Sequence, residues 1–230
     1  MSNYSILETS EGKYIGEVTN NIPNGKGTFY WKSGRKYVGD WKNNIKEGRG
    51  FFKYETGNIY IRQIKNNKRE GYGTFYNNEG EVFEGNWKDD KAEGFGIYYY
   101  SNGEIYEGNF KEDKFDGNGI YYYECGDKYE GNWKNGKREG NGICYYGNGD
   151  VYNGEWKNSK KMGKELLFIK VEINMMVIGK KEKRVVKEFI ILKMEIFLKE
   201  NGKMEKKMGK EFFIIKIKIW KKKDFGKMIF

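Results

Sequence analysis

The chain has 230 residues and a formal net charge of +10, with 37% hydrophobic against 33% charged residues. That length accommodates one or two ordinary domains, but the lean apolar fraction argues against a deep globular core. Without a histidine the commonest general base and metal ligand is missing, and two cysteines make neither a disulfide framework nor a metal cluster, so no metal, cofactor or catalytic residue is expected.

The apolar content is unusual in kind. The chain holds 19 Tyr, 15 Phe and 6 Trp beside 32 Gly and one Pro, a balance that favours short strands joined by tight turns. There is no basic, apolar leader at the start and no run of about 18 apolar residues, so a cytoplasmic protein is expected.

Residues 1–13 read as a lead-in. From there a unit of 23 residues recurs without insertion, starting at Tyr14, Tyr37, Tyr60, Phe83, Tyr106, Tyr129 and Tyr152. A fixed period of this size marks a repeat architecture in which each unit buries its apolar face against its neighbours. The clearest copy, Tyr129 to Val151, reads YEGNWKNGKREGNGICYYGNGDV. In YEGNW, Tyr129, Gly131 and Trp133 alternate with Glu130 and Asn132, which predicts a strand. Asn135 and Gly136 follow, suited to the positive backbone angles of a tight hairpin. GNGICYY predicts the second strand, with Gly140, Gly142 and Cys144 on one face and Asn141, Ile143 and Tyr145 on the other, and Gly147 to Asp150 makes the turn into the next unit. The expected fold is all-β, an elongated single-layer antiparallel sheet of tandem β-hairpins over residues 14–161.

Glycine inside a strand costs about 0.5–1 kcal/mol relative to alanine, so its recurrence needs a compensation. Gly39, Gly85, Gly108 and Gly131 repeat in the first strand, and the pairs Gly48/Gly50, Gly94/Gly96, Gly117/Gly119 and Gly140/Gly142 in the second. These are expected as structural glycines, whose missing Cβ lets rings of adjoining strands lie on bare backbone. The rings concerned are Tyr37, Trp41, Phe83, Trp87, Tyr106, Tyr129, Trp133, Tyr152 and Trp156. Two roles are open to this aromatic row: the core of the sheet, or a groove for a partner's extended segment or helix.

The pattern, close to Y-x-G-x-W-x-x-G-x-x-x-G-x-G, resembles the MORN repeat over residues 14 to about 161. Arg62 and Ile64 stand where the third copy should have glycine and tryptophan, and Val18 replaces the tryptophan of the first, so these two units should be the weaker ones. The resemblance implies a single-layer sheet used as a scaffold or binding platform, often linked with membranes or phosphoinositides. It also implies an alternative, in which such an array is the regulatory N-terminal part of a truncated lipid kinase or lysine methyltransferase.

The expectation is a non-enzymatic scaffold for protein partners, at a membrane or the cytoskeleton, with homodimerisation through the unpaired edges of the terminal hairpins. Recurring acids such as Glu47, Glu70, Glu93, Asp116 and Glu139 read as turn or edge residues. The alternative partner is an anionic phospholipid, met by a line of turn lysines, Lys42, Lys65, Lys88, Lys111, Lys134 and Lys157.

The charge divides unevenly. Residues 1–159 carry 22 Lys or Arg against 24 Asp or Glu, whereas residues 160–230 carry 21 against 9. The basic excess belongs to the tail, 162–230, and gives no case for a nucleic-acid partner. All 19 tyrosines precede residue 153. The period nevertheless persists: KELLFIK from Lys164 is echoed by KEFIILK from Lys187 and KEFFIIK from Lys210, each 23 residues on. Codons for KEFFII, read one base earlier, are compatible with KGIFYY, a second strand of the repeat. EINMMVIGKK from Glu172 and IFLKENGK from Ile196 reread in the same way as first strands. The tail is therefore expected to be a frame-displaced reading of further repeats, with the fault at the A-rich codons of Lys160 and Lys161. As translated, alternating runs such as FFIIKIKIW from Phe212 favour short strands.

Overall fold

The computed structural model describes residues 3–168, 171–181 and 184–194. Its strands are β1 (Asn3–Glu8), β2 (Gly12–Thr19), β3 (Ile22–Trp31), β4 (Lys36–Lys42), β5 (Ile45–Lys53), β6 (Ile59–Lys65), β7 (Lys68–Tyr76), β8 (Val82–Lys88), β9 (Lys91–Tyr99), β10 (Ile105–Lys111), β11 (Lys114–Tyr122), β12 (Lys128–Lys134), β13 (Lys137–Tyr145), β14 (Val151–Lys157) and β15 (Lys160–Phe168). All fifteen form one antiparallel sheet in which spatial order equals chain order. No helix occurs among the described residues. At about 4.8 Å per strand the sheet extends on the order of 70 Å across its strands. The lead-in supplies β1, and β15 continues the sheet to Phe168.

Each repeat is a hairpin closed by two residues with positive φ, at 49° and 78° for Asn135 and Gly136 and at 49° and 65° for Asn43 and Asn44. Both central residues in the left-handed region define the turn whose twist matches that of paired strands. Between repeats the connection is longer, with Gly34, Gly80, Gly103, Gly126 and Gly149 at φ near +90°.

Within each hairpin the register slips once. In β4 and β5, Tyr37 faces Phe52 and Gly39 faces Gly50, but Trp41 then faces Lys46, so a bulge lies between. Here the expectation about the glycines needs dividing. A Cβ on Gly50 would lie 2.3 Å from the Tyr37 ring, and one on Gly39 2.5 Å from its hydroxyl, so these two are vacancies that the ring fills. The fourth repeat builds the same vacancy around Phe83. Gly85 faces Gly96 there, and a Cβ would lie 2.7 Å from the Phe83 ring at the first position and 2.6 Å at the second. The first glycine of each second-strand pair departs from the expectation. Gly94 has only Asn86 near it, at 3.8 Å, and sits at φ +78° on the bulge, so its reason is backbone conformation rather than space for a ring. Gly48, Gly117 and Gly140 hold the same place with positive φ.

The tyrosine hydroxyl finishes the bulge. Tyr37 donates to the Asp40 carbonyl at 3.0 Å, and Tyr14, Tyr60, Tyr106, Tyr129 and Tyr152 do the same to the residue three positions on. Tryptophan then ties repeat to repeat. The Trp41 indole donates to the Gly27 carbonyl of the preceding hairpin, while its ring meets Tyr14 of that repeat edge-on at 5.4 Å and its own Tyr37 at 5.2 Å. The core is thus a one-dimensional row of first-strand side chains, mostly tyrosine and tryptophan, with Phe83 in the tyrosine place of the fourth repeat and Phe110 in the tryptophan place of the fifth. Val18 and Ile64 occupy the tryptophan site of their repeats and are buried there.

Two further strands, β16 (Val171–Lys181) and β17 (Arg184–Met194), pair with each other in a separate sheet. The echo from Lys187 falls on β17, and the runs from Ile196 and Phe212 lie outside the described residues.

Candidate functional site

The aromatic row divides by strand. Its first-strand members are sealed: Tyr37, Tyr106, Tyr129 and Tyr152 are 0% exposed, and Phe83, Trp41, Trp87, Trp133 and Trp156 no more than 7%. Gly96, against the Phe83 ring, is buried with them, so its role is confined to the core and it offers no surface to a partner. What a partner meets on this face is the second strand, which carries two files of rings. One holds Phe29, Phe52, Phe75, Tyr98 and Tyr121, and the other, at the strand's last residue or just past it, Trp31, Tyr54, Tyr100, Tyr123 and Tyr146. All but Phe52 are partly exposed. Neighbours from the two files pack at about 4.5 Å, as in Tyr98 with Tyr100 (4.6 Å) and Tyr121 with Tyr123 (4.5 Å). Residue alternation puts both files on the tyrosine side of the sheet, above the sealed core.

Side chains of opposite charge border this trough. Toward the hairpin turns stand Lys46, Arg69 and Arg138 at one position of the repeat. Lys46 lies over the Phe52 ring at 5.0 Å, Arg69 over Trp87 at 4.0 Å and Arg138 over Trp156 at 4.1 Å. Such contacts hold a cation by the ring's negative face. Burial lowers the Lys46 pKa. Toward the inter-repeat loops stand Glu81 and Glu104. Tyr98 donates to Glu81, and Tyr121 donates to Glu104 at 2.7 Å. The bond from Tyr121 lowers the Glu104 pKa, while burial first, and the carboxylate next, raises that of Tyr121.

At the C-terminal end the trough deepens to a cavity of about 340 Å³ between Tyr123, Tyr146, Asp127 and Arg138. Cys144 lies in its wall, buried, with its thiol pKa raised by that burial. Cys125 is exposed, and the two cysteines are free. No group of three or more metal-ligating side chains occurs among the described residues. The arrangement can grip apolar and aromatic side chains while pairing charges of either sign at its rims.

The second-strand rings, Arg69 and Arg138, and Glu81 and Glu104 were not singled out from the sequence. Tyrosine triplets at Tyr98–Tyr100 and Tyr121–Tyr123 carried the information, since alternation sends their outer members to the trough and Tyr99 and Tyr122 to the opposite face. The turn lysines take an unforeseen form. Lys65 faces Lys68, Lys88 faces Lys91, Lys111 faces Lys114, Lys134 faces Lys137 and Lys157 faces Lys160 across their turns. Carboxylates intervene, with Lys68 2.8 Å from Asp89, Lys91 3.6 Å from Glu112 and Lys134 3.2 Å from Asp116.

No functionally characterised protein matches the chain by sequence. Among solved structures it is similar to the TCP domain of Drosophila melanogaster SAS-4 (dCPAP) in complex with a proline-rich motif of Ana2 (dSTIL). The identity there is 11% and the TM-score 0.42, over 72% of this chain and 83% of that one. It is also similar to the TCP10 domain of Danio rerio CPAP in complex with a peptide of STIL, at 11% identity and a TM-score of 0.27, over 72% and 88%. The sequence profile of the MORN repeat matches residues 14–34, 37–59, 63–81, 83–105, 106–128, 129–151 and 152–164. The third match begins only after Arg62, the residue that breaks the pattern. With that period filled by interlocked hairpins, the chain belongs to the MORN-repeat family.

Proposed function

We propose that the chain is a non-enzymatic scaffold in the cytoplasm, at a membrane or the cytoskeleton, whose aromatic trough takes up segments of partner proteins. The observation that carries this reading is the pair of partly exposed second-strand files, bordered by Arg69 and Arg138 on one side and Glu81 and Glu104 on the other. Aromatic side chains and arginine are the residues that dominate protein interfaces. A photo-crosslinking side chain placed at Tyr100 or Tyr123 in cells tests it. Discrete protein adducts from both positions, lost when Tyr121→Ala is added, are expected. Adducts no stronger than those from the loop residue Asn102 would sink the reading.

The opposed lysine pairs favour a second reading, a peripheral contact with anionic lipid along the hairpin-turn edge, with Asp89, Glu112 and Asp116 reducing its strength. Flotation of the full chain with phosphatidylserine vesicles, against the variant Lys111→Glu/Lys134→Glu, separates the two. Equal flotation of both proteins assigns any lipid binding to other parts of the chain and excludes this edge.

We further propose that the tail is a displaced reading of additional repeats, so that its basic excess belongs to codon content rather than to a binding surface. The retained interval of 23 residues supports this.

A further inference from the structure

The face opposite the tyrosines carries a second groove. There, Glu84 faces Ile97, Ile97 faces Glu107, Glu107 faces Ile120, Ile120 faces Glu130 and Glu130 faces Ile143, so carboxylates and isoleucines alternate strand by strand. A parallel line holds the amides Asn109, Asn118 and Asn141. Between the two lines the floor is glycine backbone, where Gly108 faces Gly119 and Gly131 faces Gly142. The result is an open groove of about 620 Å³ from β9 to β14, lined on β9 by Phe95, which is 51% exposed. Five strand spacings make it about 24 Å long.

Its period selects the backbone of an occupant. One repeat along the groove is two strands, about 9.6 Å. A polyproline II helix returns to the same face every three residues, about 9.3 Å. An α-helix would place about 6.4 residues in that interval, a non-integer that walks its side chains off the line. An extended strand returns every second residue, about 6.8 Å. Of these, the polyproline helix stays in step.

Its chemistry selects the side chains. Glu84 and Glu107 make no ion pair among the described residues, and Glu130 meets Lys128 at 3.2 Å in a solvent-exposed pair that a ligand cation can replace. Asn109 donates to the Asn118 carbonyl at 3.3 Å and keeps its own oxygen as an acceptor. The amides of Asn118 and Asn141 can both donate and accept. A polyproline helix has no internal hydrogen bonds, so its carbonyls require outside donors.

We propose that this groove binds a proline-rich segment in the polyproline II conformation with Lys or Arg at every third position. The cations meet Glu107 and Glu130, with Glu84 next in line. The prolines lie against Ile120 and Ile143, and the amides hold the backbone. This surface is on the other side of the sheet from the aromatic trough, so the two readings stand or fall separately.

Fluorescence anisotropy of labelled peptides with the full chain tests it. One peptide repeats Pro-Pro-Arg, a second repeats Pro-Arg with the same number of arginines, and a third repeats Pro-Pro-Glu. The first is expected to bind about tenfold more tightly than either of the others. Glu107→Lys/Glu130→Lys should weaken it by about tenfold or more, and Tyr100→Ala/Tyr123→Ala should leave it unchanged. Far-UV circular dichroism checks the fold. Should the double reversal unfold the sheet, Glu107→Gln/Glu130→Gln takes its place, with an expected loss of about fivefold. Equal affinity for triplet and doublet arginine peptides, or binding indifferent to the loss of both carboxylates, overturns the proposal.

Discussion

The first-strand tyrosine ring fills the space left by two facing glycines, and its hydroxyl supplies the hydrogen bond that the bulge carbonyl needs. Phe83 keeps the first function, over Gly85 and Gly96, and lacks the second, since no hydroxyl reaches the Asn86 carbonyl. Phe83→Tyr is therefore expected to stabilise the array by about 1 kcal/mol, measured as a shift of the urea midpoint at constant slope. The same burial sets an alkaline limit. It is the main cause that pushes the pKa of Tyr14 and of Tyr129 up from 10.0 to about 12. Above pH 10 the unfolded chain has lost phenolic protons that the folded chain retains, so stability falls with rising pH. The contribution is whole below pH 10 and gone above about pH 12. Urea titrations across that window should show the decline, and a flat profile through pH 11 would contradict the sealed placement of these rings.

At the scale of the hairpin, the third repeat is expected to be the weak joint. A Cβ at the strand-one glycine site collides with the tyrosine, and Arg62 escapes by taking φ to +113°, sending its guanidinium over the Tyr72 ring at 5.4 Å instead. Strain of this kind costs about 1–3 kcal/mol, against about 0.5–1 kcal/mol from the exposed cation–ring contact. Ile64, like Val18 and Phe110 at the same place, also lacks the indole that ties the second, fourth, sixth and seventh repeats to the preceding glycine carbonyl. Native-state hydrogen exchange should accordingly find β6 and β7 less protected than β12 and β13. Arg62→Gly is expected to close that gap and add about 1 kcal/mol of stability; protection unchanged by the substitution would place the weakness elsewhere. The hairpins, the Asn135–Gly136 turn and the break in the third copy at Arg62 and Ile64 were legible in the sequence, because local alternation and turn chemistry write them directly. The bulge was not, since parity alone gives Gly48 and Gly50, or Gly94 and Gly96, the same role and only the register slip separates them. Nor was the accessible site. Alternation places Tyr37, Phe52 and Tyr54 on one face, but which ring lies under which depends on how neighbouring strands stack.

At the scale of the whole molecule, the sheet makes no closing contact among the described residues, so nothing in that architecture fixes how many repeats it holds. Stacking is additive, and a further unit needs only a tyrosine, its two glycines and a tryptophan in phase. Beyond Lys161 tyrosine is absent, no glycine falls at either of its two partner positions and Trp220 is out of phase, while the interval of 23 remains, and β16 pairs with β17 instead of extending the main sheet. Read one base late, codons for the repeat's Tyr, Phe and Lys become codons for Ile or Met, Phe and Lys, the residues in which the tail is rich. A lineage that abandoned the repeat would have lost its period along with its residues, whereas a displaced frame preserves spacing and scrambles identity. Sequencing genomic DNA and transcript across the codons for Lys160 and Lys161 decides the matter. The expected result is an adenine run that, with one base restored, opens a frame encoding Tyr-x-Gly-x-Trp units in step with Tyr152. A gene whose restored frame meets stop codons before one full unit would make the basic tail a genuine segment of the protein.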